Sequence, residues 1–452
     1  LKLKSDGSGT AYLKYNGSGI AATAERFVTG GALSTAIKTT MHFVSSPVSG
    51  GTGSLLYDAA LGGYNIYTLN NTAWIRIFGS DALIPGKSYT VDYTGNKTIS
   101  FAGMLNSGTI TITDNGNKNE YCLVGNPYPC PISVQSFFSN DINKTNTKRA
   151  LYLWSATVSD NSADYATCNF LGCTAGNSRI LPNGNISSGQ GFLIDRSVAS
   201  PVTCQFTDQM KVNGNNNQFL IYDRGAVQRN YFSMADTAGI YHQILIALFD
   251  DATTGFDSSY DAYKLKEAKH TSLYSLLSGD TNGFAIQGIP AISDSSSVKL
   301  GFESATASQI IFTYEGSENL DPSIFIYLKD KTLNKTINLK TNNTYAFQAS
   351  KGISDNRFEL QFRNTPLSVS DFPENNPSIQ VYGSGREFYV KISPTDISDC
   401  IYSIYDLCGR AVISAIKPEC SDHKIKVPEQ NGMYILSVKT KFANYCTKIL
   451  VQ

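Results

Sequence analysis

Short apolar runs of period two, broken every few residues by Gly, Asn, Ser or Asp, run through most of this chain. Turn signals fall at Asp6–Gly9, Asn16–Gly19, Leu61–Gly63, Asn115–Gly116 and Pro182–Asn185. Between them Ala11–Tyr15, Tyr64–Tyr67, Trp74–Phe78 and Thr109–Thr113 alternate apolar with polar residues, which predicts strands with one buried face. Helical periodicity is scarce; Ile132–Phe138 predicts a turn or two. Residues 1–210 therefore read as a β-sandwich domain. Residues 215–363 read as a second, jelly-roll-like sandwich, with strands expected at Gln218–Tyr222, Tyr241–Phe249, Phe284–Gln287, Ser297–Phe302, Gln309–Tyr314, Ile324–Lys329, Thr344–Gln348 and Phe358–Phe362. A helical turn is expected at Tyr263–Ala268. Residues 364–376 mix Pro, Asn, Ser and acids without periodicity, as a linker does. Residues 377–452 predict a small immunoglobulin-like β-sandwich. The fold class is all-β.

Composition narrows the function classes. The 37 basic and 37 acidic side chains cancel, and only 16% of residues are charged, so there is no electrostatic case for nucleic acid. No apolar run reaches the roughly 18–20 residues of a membrane-spanning helix. The chain starts Leu1-Lys2-Leu3-Lys4 without an initiator Met, as expected of a mature or trimmed product. Nine Cys leave at least one without an intrachain partner. Cys168 and Cys173 stand where they can bridge a loop or act as small buried hydrophobes. The four His, with no Cys-x-x-Cys pair, show no zinc spacing.

Few segments suggest chemistry. Gly125-Asn126-Pro127-Tyr128-Pro129 fixes a rigid corner, which presents Asn126 and Tyr128 to a ligand or packs the Tyr into a core. Gly189-Gln190-Gly191-Phe192 lacks the third Gly and the helix of a phosphate loop; its glycines suit a bulge or a close backbone approach. Asp250, Asp251, Asp257 and Asp261 lie within twelve residues and are candidate ligands for a structural calcium ion. The competing reading has them capping backbone amides in turns. No Gly-x-Ser-x-Gly elbow or His-Glu-x-x-His helix is present, so an enzyme is not expected. Trp74 and Trp154 are either core residues or platforms for a sugar ring.

The C-terminal eighty or so residues carry the most specific pattern. Tyr405-Asp406-Leu407-Cys408-Gly409-Arg410, then Asn431-Gly432-Met433-Tyr434-Ile435-Leu436, then Lys448-Ile449-Leu450-Val451-Gln452 follow one another to the last residue. In that order they resemble the type A C-terminal sorting domain of proteins exported by the type IX secretion system of Bacteroidota. Upstream, Gly125–Pro129, Gly189–Phe192 and Ala252–Ala262 resemble a β-rich region of long, adhesin-like secreted surface proteins from these bacteria. The resemblance implies an extracellular or cell-surface location, reached across the outer membrane. It implies that Asp406, Gly409, Arg410, Gly432, Tyr434, Lys448, Ile449, Leu450, Val451 and Gln452 form the secretion signal. The implied partners are the outer-membrane shuttle protein, the translocon, and a sortase-like peptidase cutting between Asn364 and Pro377. Asp236-Thr237-Ala238 fits the O-glycosylation pattern of these bacteria, at Thr237. The expected role is adhesin-like or structural, with a surface glycan or another protein as further partner. The rival is a carbohydrate-binding or carbohydrate-active surface protein whose catalytic part lies upstream of Leu1.

Overall fold

A computed structural model describes residues 1–31, 40–58, 65–70, 73–117, 120–155, 164–197, 202–213, 227–265, 271–290, 292, 296–365, 379–392, 400–439 and 444–452. The expected strand Gln218–Tyr222, most of the linker 364–376 and the proposed cleavage region lie outside them. The fold is all-β, with two short α-helices among the described residues, Val134–Ser139 and Asp141–Asn146. Among the described residues no helix is long and apolar enough to cross a membrane. The chain forms two compact units, Leu1–Asn364 and Thr365–Gln452.

The larger unit is a stack of sheets glued by four cores. At its start, Ala21–Val28 pairs antiparallel with Lys97–Leu105, and Thr40–Val44 with Tyr89–Tyr93. Both pairs feed one core that includes Val28, Val44, Val91, Tyr93, Ile99 and Phe101. Ala11–Tyr15, expected as a strand, is not one. Its polar groups find loop partners instead of a ladder: Leu13 N–H donates to Pro129 O at 2.8 Å and the Tyr15 hydroxyl to Leu105 O at 2.8 Å. Leu13 and Tyr15 still pack on the core.

A middle sheet runs in the order Tyr121–Gly125, Gly191–Arg196, Thr147–Ser155, Asp164–Cys168. Its strands are buried on both faces, because their side chains alternate between two cores. Cys122, Val124, Leu151, Leu153, Phe192 and Ile194 point to one core, completed by Phe137, Phe138 and Phe206. Leu123, Ala150, Tyr152 and Leu193 point to another, shared with Leu245, Ala247, Phe249 and Ile286. That shared core joins the blocks 1–210 and 215–363 within one unit. Continuous apolar runs such as Phe192-Leu193-Ile194 are what a strand covered on both faces requires.

Beyond it lies an eleven-stranded sheet running from Lys335–Asn338 at one end to Thr344–Ala349 at the other. Ile244, Ile246 and Leu248 leave the shared core to Leu245 and Ala247 and enter the sheet's own interior. That interior gathers Ile326 and Leu328, from the strand next to one end, with Phe347 and Ala349 from the strand at the other, so the sheet curls on itself. Asp330 pins the curl. Its carboxylate, wholly buried, accepts from the Tyr345 hydroxyl (3.0 Å) and Arg357 Nη2 (2.9 Å), while the Arg357 guanidinium lies over the Phe347 and Phe358 rings. The segment expected to begin a helical turn at Tyr263 instead contains the short strand Ala262–Tyr263, held by Phe284–Ile289. Residues 266–268 lie outside the described residues.

The smaller unit is a two-sheet sandwich. Three strands, Ile379–Ser384, Glu387–Ile392 and Asp422–Lys424, form one sheet; Ala411–Ile416, Ile401–Tyr405, Gly432–Lys439 and Asn444–Val451, in that order, form the other. Between them pack Phe388, Val390, Tyr402, Ile404, Leu436, Val438, Ile449 and Val451. Strict alternation along Gly432–Lys439 sends Tyr434, Leu436 and Val438 inward.

Candidate functional site

The middle sheet and the strap Ala262–Tyr263 border a cleft of about 490 Å³. Asp195, next to last in the strand Gly191–Arg196, is 2% exposed at its base. Burial pushes its carboxyl up to about 6, against the opposing pull of Lys148 and of the Tyr152 hydroxyl. Lys148 Nζ stands 3.9 Å from Asp195 Oδ2 and 4.7 Å from the centroid of the Tyr263 ring. The Tyr152 hydroxyl donates to Tyr263 O at 3.0 Å and lies 3.3 Å from Asp195 Oδ2. Tyr121 meets Tyr152 edge to face, with centroids 5.7 Å apart. Tyr263 is locked by stacking on Phe284 at 4.7 Å and by donating to Asp280 Oδ2 at 2.9 Å. Lys264, whose Nζ lies 2.9 Å from His242 Nδ1, Leu265 and Asn282 complete the wall.

Such a cleft offers aromatic faces, ammonium and amide donors and one carboxylate acceptor, the groups that hold a polar ring by stacking and hydrogen bonds. Asp195 is the one carboxylate in its described lining, whereas glycoside cleavage uses a pair about 5–9.5 Å apart.

Two of the four candidate calcium ligands, Asp257 and Asp261, accept from backbone amides. Asp257 Oδ2 accepts from Thr253 N–H at 2.6 Å; Asp261 accepts from Asp257 N–H at 2.7 Å and Gly288 N–H at 2.9 Å. Asp250 and Asp251 stand at the exposed start of the loop. Among the described residues no three His, Cys, Asp or Glu side chains are grouped to hold a metal ion. Thr237 is exposed at the tip of the hairpin joining Gln228–Asp236 to Tyr241–Leu248, a turn closed by Asp236 Oδ1, which accepts from Ala238 and Ile240 N–H, each at 3.0 Å.

Asn126 and Tyr128 are wholly buried. The Asn126 amide donates to Cys130 O, Ile186 O and Ser187 O, and the Tyr128 hydroxyl to Gly108 O at 2.6 Å, so the corner is structural. Cys168 and Cys173 form a disulfide. Trp74 is 49% exposed on the strand Ala73–Arg76, and Trp154 is half-buried against Phe43 and Tyr165.

In the smaller unit the proposed signal residues divide between turn, core and outer face. Asp406 organises its turn by accepting from Cys408 N–H and Arg410 N–H, both at 2.9 Å, and from Arg410 Nε at 2.7 Å. Gly409 takes a φ of 79°, where a side chain is strained. Tyr434 packs inward and donates to Gln430 O at 3.0 Å, two residues before Gly432 opens the strand. Ile449 and Val451 face the core; Lys448, Leu450 and Gln452 face out.

A family model described as a domain of unknown function (DUF8693) matches residues 34–362. The chain belongs to the DUF8693 family. The matched span holds every described residue of the Asp195 cleft and leaves Thr365–Gln452 outside. The chain is also similar to the minor fimbrium subunit Mfa5 of Porphyromonas gingivalis, at 21% identity over 352 residues, or 73% of this chain. It spans 27% of the length of that relative.

The cleft of this DUF8693 chain was not legible as a motif. Lys148, Asp195 and Tyr263 come from three segments that meet only in the fold. One signal was present: Asp195-Arg196 closes a run of apolar residues that predicts a strand buried on both faces, and a charge pair there must be housed by the protein. Arg196, wholly buried, meets Asp114 and, at 3.6 Å, Glu120; Asp195 faces the cleft.

Proposed function

We propose that this chain is a structural, adhesin-like component of the Bacteroidota cell surface, exported by the type IX system through Thr365–Gln452. The observation that carries the reading is the similarity to a fimbrium subunit, which extends over 352 residues. An all-β stack whose sheets share cores suits it, because such a body presents loops on a stiff frame. The two-sheet terminal unit with its outward-facing strand end supports the export reading, and the exposed hairpin tip at Thr237 supports O-glycosylation there. The test is to express the tagged chain in a Bacteroidota host with type IX machinery and to treat whole cells with protease. Digestion of the tag on intact cells is expected; a tag protected until the outer membrane is opened overturns the proposal.

A second reading, glycan binding, is favoured by the Asp195 cleft with its Tyr121 and Tyr263 walls. Reproducible signals for the full chain on a glycan array, lost in Asp195→Ala, are its expected outcome. A blank array removes it.

A further inference from the structure

Adjacent residues of one strand serve two clefts. Lys148 stands beside Asp195, whereas Arg149 lines a second cleft of about 380 Å³ with Lys144, Phe138, Phe170, Ser259 and Tyr260. The backbone makes the division. The register of Thr147–Ser155 against Gly191–Arg196 shifts between Thr147 and Leu151, and inside that irregularity Arg149 holds a φ of 55°. This left-handed conformation is uncommon for a residue with a long side chain. Bulges re-aim side chains, and this one sends the guanidinium to Ser259, whose Oγ accepts from Nη1, while Nε lies 3.4 Å from Lys144 O.

The lining has one sign of charge. Lys144, in the last turn of Asp141–Asn146, and Arg149 are its two cations, and no carboxylate stands among its described lining residues. Its floor is aromatic and fixed: Phe138 is 3% exposed, and the Phe170 and Tyr260 rings are 6.3 Å apart. Around the cations sit the Ser139 and Ser259 hydroxyls and the Gln135 amide. The volume falls within the about 300–1,000 Å³ typical of small-molecule sites.

We propose that this cleft binds an acidic sugar, its carboxylate paired with Arg149 and Lys144 and its ring laid on the aromatic floor. A neutral sugar leaves the two cations without a countercharge. An apolar anion leaves the hydroxyls and the amide unused. Guanidinium–carboxylate pairing is both stronger and more directional than a bond between neutral groups. The site shares no described lining residue with the Asp195 cleft, so it stands or falls apart from surface export and from glycan binding at Asp195.

The test uses the full chain with D-glucuronate, D-glucose and acetate as probes, followed by calorimetry and ligand-observed NMR. Glucuronate is expected to bind about tenfold or more tighter than either glucose or acetate. Arg149→Asn keeps a residue that tolerates the left-handed backbone, so an unchanged melting temperature separates binding from folding; it is expected to weaken glucuronate about tenfold. Lys264→Gln, in the other cleft, is expected to leave binding unchanged. Equal affinity for glucose and glucuronate overturns the proposal, as does binding that survives Arg149→Asn or is lost in Lys264→Gln. Acetate binding as tightly as glucuronate overturns the sugar assignment.

Discussion

Asp261 shows what one buried carboxyl does to the molecule. It is 1% exposed, and burial pushes it up to about 7, although the Asp257 and Gly288 amides that it anchors pull the other way. Its folded value therefore lies above the ordinary 3.8, and between about pH 4 and pH 7 the native state holds a proton that the unfolded chain has released. The stability linked to this group is present in acid and is lost as the pH rises through that window. At about 1.4 kcal/mol per unit the effect is on the order of 4 kcal/mol. The free-energy difference between wild type and Asp261→Asn, from denaturant melts, is expected to move in favour of wild type as the pH falls from 7 to 4; a flat difference refutes this. Asp330 has the opposite logic. Burial raises its carboxyl, but Arg357, the Leu333 amide and Tyr345 together bring it below its ordinary value. Asp330→Ala leaves the half-buried Arg357 beside an empty acceptor and is expected to cost about 3–5 kcal/mol in the same assay.

Elements were legible where pattern alone decides them. Tyr241–Leu248 and Phe284–Ile289 are apolar runs and lie close to their expected bounds. Gln228–Asp236 escaped because Arg229, Asn230 and Ser233 interrupt its apolar residues, yet all three are buried. Their partners are tertiary: Ser233 donates to Glu315 at 2.7 Å and the Asn230 amide to Ile246 O at 3.3 Å. Ala11–Tyr15 was misread for the converse reason, since alternation predicts a buried face and not a ladder to join. The Asp195 cleft shares this limit, because its residues are assembled by strand pairing and not by spacing. The glycines of Gly189–Gly191 were expected to suit a bulge or a close backbone approach, and Gly191 makes the close approach: a Cβ on it would lie 1.9 Å from Ser88 Oγ and 2.8 Å from Phe43 Cβ. Gly191→Ala is expected to destabilise by about 1–3 kcal/mol. Gly255→Ala, whose Cβ would meet only Thr253 Oγ1 at 3.7 Å, is expected to stay within about 0.5 kcal/mol. Similar melting shifts for the two would refute the packing argument.

For the whole molecule, the export reading turns on separating recognition of the terminal unit from its folding. Deleting Lys448–Gln452 cannot do so. It removes Ile449 and Val451, 2% and 0% exposed, from the small core, and each such side chain contributes about 1.5–3 kcal/mol by burial. It also removes the Gln452 N–H bond to Gly385 O at 3.4 Å. Loss of export would then follow from unfolding alone. The outer face of the same strand offers a cleaner test. Lys448 is exposed and Leu450 is 47% exposed, and Asn444–Val451 is an edge strand of its sheet, the kind of surface that a partner can extend by strand addition. A reporter joined to residues 365–452 is expected outside the cell in a secretion-competent host. The same fusion carrying Lys448→Ala and Leu450→Ser is expected to remain in the periplasm with an unchanged melting temperature. Equal export of both fusions shows that this face is not what the machinery reads. A wild-type fusion held in the periplasm removes the export role altogether, leaving the similarity to the fimbrium subunit, which rests on sequence alone, untouched.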